Sequence, residues 1–195
     1  MIQAIANIGT AFGLASSAGL NAYIPLLIVA IAARFPLDSP FLALAEPYDI
    51  LGSWWAIGIL TVLLIIEMTV DKIPAIDTLN DVIHTFVRPA AGAVLFAANS
   101  NVISDIHPAL ALTAGLLVAG GVHAAKGTTR PLITATTAGS GNWFVSLLED
   151  IAAFFLSLFA LLLPLIAGIF SIGLIIFIIL MYRRYKQRQR KMVPT

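Results

Sequence analysis

Apolar positions in this chain run in long stretches instead of alternating with polar ones. Residues 1–33 carry no charge and end at Arg34. Residues 50–66 are uncharged and open on the pair Trp54–Trp55, as suits an aromatic belt at a membrane interface. Residues 89–104, 106–125 and 151–182 form three more such stretches. A helix that crosses a bilayer needs roughly 20 mostly apolar residues, so the pattern predicts five spanning segments. The last is too long for one straight span, and Pro164 is placed to break it. Pro25, Pro89 and Pro131 stand at or inside other stretches, as helix breaks or packing points.

Composition agrees. Of 195 residues, 59% are hydrophobic and 11% charged, and cysteine is absent. An ordinary soluble domain is about 25% charged, so a soluble enzyme and a disordered chain are both excluded. The fold expected is an all-α integral membrane bundle of five hydrophobic segments, or six if one re-enters, some of them interrupted. The first stretch lacks a basic leader and is too long for a signal peptide, so it is expected to be retained. Residues 1–182 then form one transmembrane domain, and residues 183–195 a basic cytoplasmic tail.

The charges are unevenly placed. The run RRYKQRQRK at 183–191 follows the last stretch directly, and the positive-inside rule puts it in the cytoplasm. Its bland role is that of topology anchor and general attraction to anionic lipid, not nucleic-acid binding. Five spans would place Lys72, Lys126 and Arg130 outside, against the rule. They are therefore expected inside the protein, or one segment re-enters. The inferred location is the cytoplasmic (inner) membrane, with lipids and further copies of the chain as partners.

Two segments read alike, GLASSAGLNA at 13–22 and GLLVAGGVHA at 115–124. Small residues at this density let helix backbones approach closely. Duplicated, interrupted helices are also the mark of transporters that bind solute where broken helices meet. Gly13, Gly19, Asn21 and Pro25 would interrupt the first segment; Gly115 begins the second, and Gly120, Gly121 and Gly127 would interrupt the helix that holds it.

The polar chemistry is concentrated in EMTVDKIPAIDTLNDVIHTFVR, residues 67–88. Glu67 and Asp71 share a helix face, Pro74 ends that helix, and Asp77 is a good N-cap for the next. Asp81, His84 and Arg88 continue one stripe from Asp77. Glu67 directly follows LTVLLII, residues 60–66, which makes it a functional-site hypothesis at hydrocarbon depth. Its candidate partners are Lys72, Arg88 and the stripe His123, Lys126 and Arg130. Glu149 and Asp150 form a second acidic pair ahead of the last stretch. In all, six acids (Glu67, Asp71, Asp77, Asp81, Glu149, Asp150) face four counter-charges (Lys72, Arg88, Lys126, Arg130), which favours a cation or a proton over an anion. The competing reading is a structural network fixing helix register.

Enzyme signatures fail. Asp77 and Asp81 lack the upstream acids of lipid-headgroup transferases, and Lys126, Arg130 and Pro131 lack the rest of a membrane phosphatase motif. His84, His107 and His123 lack metal-ligand spacing. GSGN at 139–142 reads as a turn before it reads as an anion cradle. No metal or cofactor is expected.

GLNAYIPLL, DKIP with Asp77, Arg88-Pro89 with Ala91-Gly92, Thr134 with Thr136-Thr137, and Ser146 with Glu149-Asp150 together resemble a bacterial integral-membrane family catalogued as domain of unknown function 4126. The resemblance implies an all-helical membrane protein and supplies no activity. The charges favour a small transporter or channel-like permease for a cation or proton-coupled solute, with a non-catalytic membrane scaffold as the alternative and an enzyme third. A fluorescent protein fused after Thr195 should fluoresce in the cytoplasm. Alkaline phosphatase activity from the same fusion point would reverse the orientation.

Overall fold

A computed structural model describes residues 2–35, 44, 46–70, 74–99, 106–137 and 140–164, with isolated positions from 166 to 184; for residues 2–5, 74–81, 130–132 and 140 it describes backbone alone. The described residues are helical, with no strand among them. Six helices follow in order: α1 (Ile2–Leu20), α2 (Tyr23–Arg34), α3 (Trp54–Val70), α4 (Pro74–Ala98), α5 (Pro108–Thr137) and α6 (Ser140–Leu162). A short 3-10 turn, Tyr48–Gly52, precedes α3.

Helix boundaries follow local chemistry, and several differ from the sequence pattern. The first stretch is two helices, broken at Asn21 and not at its glycines. Asn21 Oδ1 accepts from the backbone N–H groups of Tyr23 and Ile24, both at 3.0 Å, and so caps α2. Gly13 and Gly19 lie inside α1, and Pro25 sits in the first turn of α2, where its missing N–H costs nothing. Pro74 opens α4, so the break after α3 falls where expected, but Asp77 lies inside α4 and is not its N-cap. Pro89 lies inside α4 and does not begin it. α5 runs unbroken past Gly120, Gly121, Gly127 and Pro131, so the expected interruption of the second repeat segment is absent there. Gly139 of GSGN lies outside the described residues, and the rest is not the turn expected. Ser140, Gly141 and Asn142 already belong to α6, and Gly141 N–H donates to Thr137 Oγ1. α6 ends at Leu162, ahead of Pro164.

The centre of the bundle is α1, which packs against α4, α5 and α6. Residue pairings give the directions. Phe12 meets Phe96 edge to face at 5.1 Å, and a Cβ at Gly92 would approach the Ala15 carbonyl, so α1 and α4 are antiparallel. Along α6, Thr10 donates to the Ala160 carbonyl (2.9 Å) and Ser17 to that of Ala153 (2.7 Å), again antiparallel. Ser17 also lies 2.7 Å from Ser157 Oγ, so buried hydroxyls join the two helices. α1 and α5 run parallel, and the two look-alike segments lie side by side on them. Gly19 faces Ala119 and Val122.

The core is built of small residues: Ala11, Ala15, Ala18, Ala91, Ala111 and Ala119 are buried. Three glycines set the closest approaches. A Cβ at Gly19 would stand 2.5 Å from Val122 Cβ and 2.6 Å from the Ala119 oxygen. One at Gly92 would press on Ala119 and the Gly115 oxygen, and one at Gly115 on Phe96 Cβ at 2.6 Å. Gly121 faces open space, so it is not a packing glycine.

α3 is different. Its buried side chains are Leu60 and Glu67, seven residues apart on one face. Ile59, Val62, Ile65 and Ile66 are exposed, as are Phe86, Leu117, Phe155 and Ile169 on other segments. Exposed Thr61, Thr69 and Thr113 each donate to the carbonyl four residues earlier, which satisfies the hydroxyl without water. Among the described residues, Pro108–Thr137 and Gly141–Leu162 are long and apolar enough to cross a membrane. Tyr23–Arg34, Trp54–Val70 and Val82–Ala98 are shorter apolar helices.

Overpacking a filled helix contact costs about 1–3 kcal/mol. Gly19→Val should therefore lower the midpoint of thermal unfolding in detergent by several degrees. Gly121→Ala should leave it unchanged or raise it, since alanine is the better helix former. Equal midpoints for the two variants would show that the α1–α5 approach is not close.

Candidate functional site

Most buried polar side chains gather in a belt near the break between α1 and α2, while Thr10 and Asn99, eleven residues along the chain from Asn21 and Arg88, lie away from it. Glu67 on α3 is 2% exposed and Arg88 on α4 is 1% exposed. Arg88 Nη2 donates to Glu67 Oε1 at 3.1 Å, and His84 Nε2 lies 3.4 Å from the same oxygen. His84 and Arg88 are four residues apart, so one face of α4 presents both to α3. The Tyr23 ring of α2 packs edge-on to His84, with centroids 5.8 Å apart.

Arg88 also reaches α5. Its Nη1 lies 3.2 Å from His123 Nδ1, and His123 Nε2 lies 3.2 Å from Thr85 Oγ1. An arginine can only donate. Nδ1 is therefore the bare acceptor, the proton sits on Nε2, and Nε2–H donates to Thr85. Arg88 thus fixes the tautomer of His123 while holding the Glu67 carboxylate.

One turn along α5, Lys126 carries the belt to α6 and back to α1. Its Nζ lies 2.7 Å from Glu149 Oε2 and 3.4 Å from the Leu20 carbonyl at the C-terminal end of α1. A cation at a helix C-terminus meets the negative end of the helix dipole. Asn21 closes the ring by donating from Nδ2 to Asp150 Oδ1 at 2.9 Å while its oxygen caps α2. Every helix from α1 to α6 contributes at least one group.

The structure brings together six of the residues expected to matter: Glu67, Arg88, Lys126, Glu149, Asp150 and Asn21. Glu149 and Asp150 do not precede the last helix; they lie near the middle of α6. Asn21, expected as a packing or break residue, is a hub of the belt. Glu67 pairs with Arg88 and His84, and Lys126 serves Glu149 instead. Asp71 and Lys72 lie outside the described residues, as do the side chains of Asp77, Asp81, Arg130 and Pro131. Tyr23, Thr85 and the hydroxyls of Ser17 and Ser157 join the site without any mark in the sequence pattern. Asn21 has a legible signal, being the single amide in residues 8–33 and standing four residues before a proline.

A family model for a domain of unknown function, DUF4126, matches residues 8–184, which include the whole belt. The chain belongs to the DUF4126 family. A search of curated proteins and of solved structures finds no match. In this DUF4126 chain, then, function has to be read from the belt itself.

Removing one member of a buried ion pair strands the other charge and costs about 3–5 kcal/mol. Arg88→Met should therefore destabilise the protein strongly. Adding Glu67→Gln to that variant should recover part of the loss, read as a higher unfolding midpoint in detergent. Additive losses in the double variant would mean that the two side chains do not interact.

Proposed function

We propose that this chain is a multi-pass protein of the cytoplasmic membrane, with its basic tail inside, that carries a cation or a proton-coupled solute at the level of the belt. The observation that carries this reading is the charge of the belt, buried at Glu67, Arg88 and Lys126 and half-buried at Glu149 and Asp150. Its described members hold three carboxylates (Glu67, Glu149, Asp150) against two permanent cations (Arg88, Lys126), and His123 is fixed as a neutral acceptor toward Arg88. The wider sequence set, six acids against four bases, has the same sign. In a low-dielectric interior a negative excess favours uptake of a proton or a monovalent cation.

Placement supports it. The belt crosses α4, α5 and α6 near mid-length, roughly 15 Å from the nearer helix end at 1.5 Å per residue. The outer face is apolar and the inner level is charged, the reverse of a water-soluble bundle and the arrangement expected in lipid. The break between α1 and α2 sits at that level, as in transporters whose sites form at interrupted helices.

The chemistry falls to two groups. A guanidinium keeps its proton at any physiological pH, so Arg88 cannot pass one along the belt. Glu67 and His84, 3.4 Å apart, can share one. While Glu67 is ionised, Arg88 and His84 hold α3 to α4. Protonating it weakens both contacts, and α3 has Leu60 as its other buried anchor. Proton uptake at Glu67 is thereby coupled to movement of α3.

A second reading, a membrane scaffold with a permanently ionised pair, is favoured by the direct, nearly water-free Glu67–Arg88 contact. Glu67→Gln separates the two. The variant should insert and assemble but lose pH- or cation-dependent flux in reconstituted vesicles. Failure to fold would assign Glu67 to a structural pair. A folded variant with unchanged flux would remove Glu67 from the transport reading.

A further inference from the structure

The break between α1 and α2 takes a helical donor away from the Leu20 carbonyl. In an unbroken helix the N–H of Ile24 would donate to that oxygen. Here it donates to Asn21 Oδ1 at 3.0 Å, and Pro25 has no N–H to give the carbonyl of Asn21. The Leu20 oxygen thus lies at the end of α1, where the helix dipole is negative. Glu149 of α6 brings a carboxylate to the same place. Into this gap α5 extends the buried Lys126, whose Nζ lies 2.7 Å from Glu149 Oε2 and 3.4 Å from the Leu20 oxygen.

We propose that the end of α1 and Glu149 form a site for one small monovalent cation, and that the ammonium of Lys126 occupies it as a tethered substitute for a free ion. This rests on the transport reading above and names its coupling ion. With the cation place filled from within the chain, the proton at Glu67 drives exchange and sodium does not. The donor set selects this chemistry. A carboxylate and a helix-terminal carbonyl are oxygens that hold alkali cations, and interrupted helices in transporters present such carbonyls to a coupling cation. The ammonium is a compact point charge, close in size to a potassium ion. The planar guanidinium of the belt stands elsewhere, where the partners are a carboxylate and a ring nitrogen. A lysine that served Glu149 alone would need no contact with α1, yet Lys126 reaches the carbonyl that the break exposes.

Tethering changes what the site can do. A free ion could leave and let its oxygens find other partners. An ion fixed to α5 holds the end of α1 and the middle of α6 in place whether Glu67 is ionised or protonated. Movement then falls to α3, which Glu67 joins to α4.

The test is chemical rescue of the purified full-length chain, read by thermal unfolding in detergent at equal ionic strength. The wild type should unfold at the same temperature in sodium, potassium, propylammonium and N-methyl-D-glucamine chloride. Lys126→Ala leaves Glu149 without its cation and should unfold roughly 10 °C lower in N-methyl-D-glucamine, which is too bulky for the gap. Potassium, and propylammonium as the amine that the substitution deletes, should each restore at least half of that loss. Adding Glu149→Gln should abolish the restoration. If Lys126→Ala does not fold, Lys126→Met keeps the buried stem and serves in the same comparison with potassium. Equal midpoints for the variant in all four salts would reduce the contact to an ordinary ion pair and overturn the proposal. Rescue of Lys126→Ala by propylammonium alone would assign the gap to the lysine stem and overturn it too. In vesicles loaded with a pH-sensitive dye, proton flux by the wild type should be unchanged when N-methyl-D-glucamine replaces sodium, and a requirement for sodium would also overturn it. Rescue without any flux would keep the filled cation site and remove the transport reading. Flux lost in Glu67→Gln, with no rescue of Lys126→Ala, would do the reverse.

Discussion

The contact on which the bundle depends is the fork of Arg88. One guanidinium holds the Glu67 carboxylate of α3 with one nitrogen and the His123 ring of α5 with another, so three helices share one buried charge. Leu60 is the other buried side chain of α3, and Trp54 at its start packs against Arg34 and Phe35. In water such a helix would be held by the apolar faces it exposes here. Set in hydrocarbon, those faces gain nothing by leaving lipid for protein, and a hydrogen-bonded ion pair becomes the specific attachment.

The proposed lipid setting accounts for the rest of the packing in the same terms, with no hydrophobic drive between helices. α1 sits at the centre because it is lined with residues too small to keep neighbours away. Gly19 admits α5, Ala15 and its neighbours admit α4, and Thr10 and Ser17 bond to carbonyls of α6. Small side chains supply close van der Waals contact, and hydroxyls supply direction. The two devices meet at Asn21, where α1 stops and the belt begins.

The helices were legible in the sequence because uncharged stretches of this length have few alternatives, and the all-helical class followed from them. Their ends were less so. α4 begins fifteen residues before the apolar stretch that marks it, because its first turns, from Pro74 to Val87, are amphipathic and carry the charges in question. α5 passes its glycines without a break because a helix flanked by α1 and α4 is held by packing, which outweighs the roughly 1 kcal/mol propensity cost of each. Of the site, the inward acids and bases could be named from their place in apolar runs. Their pairing could not. Spacing along α4 puts His84 and Arg88 on one face but says nothing of which helix that face meets, and so could not choose between Lys72, Arg88 and the α5 stripe for Glu67.

The two permanent cations of the belt are not interchangeable, and their difference divides its labour. Arg88 must reach a carboxylate on one side and a ring nitrogen on the other, which requires donors spread across a rigid plane. A lysine there would satisfy one partner and abandon the other, leaving His123 without the donor that sets its tautomer. Lys126 instead places a compact charge between the Glu149 carboxylate and the last carbonyl of α1. That carbonyl is exposed by the break at Asn21, and the break exists because Asn21 caps α2 in place of continuing α1. A longer, planar fork would have to be folded into a gap bounded by a helix end. The belt thus has a rigid half, at Arg88, which fixes the geometry around Glu67. Its other half, at Lys126, compensates a helix end at Asn21, whose side-chain amide leads directly to Asp150.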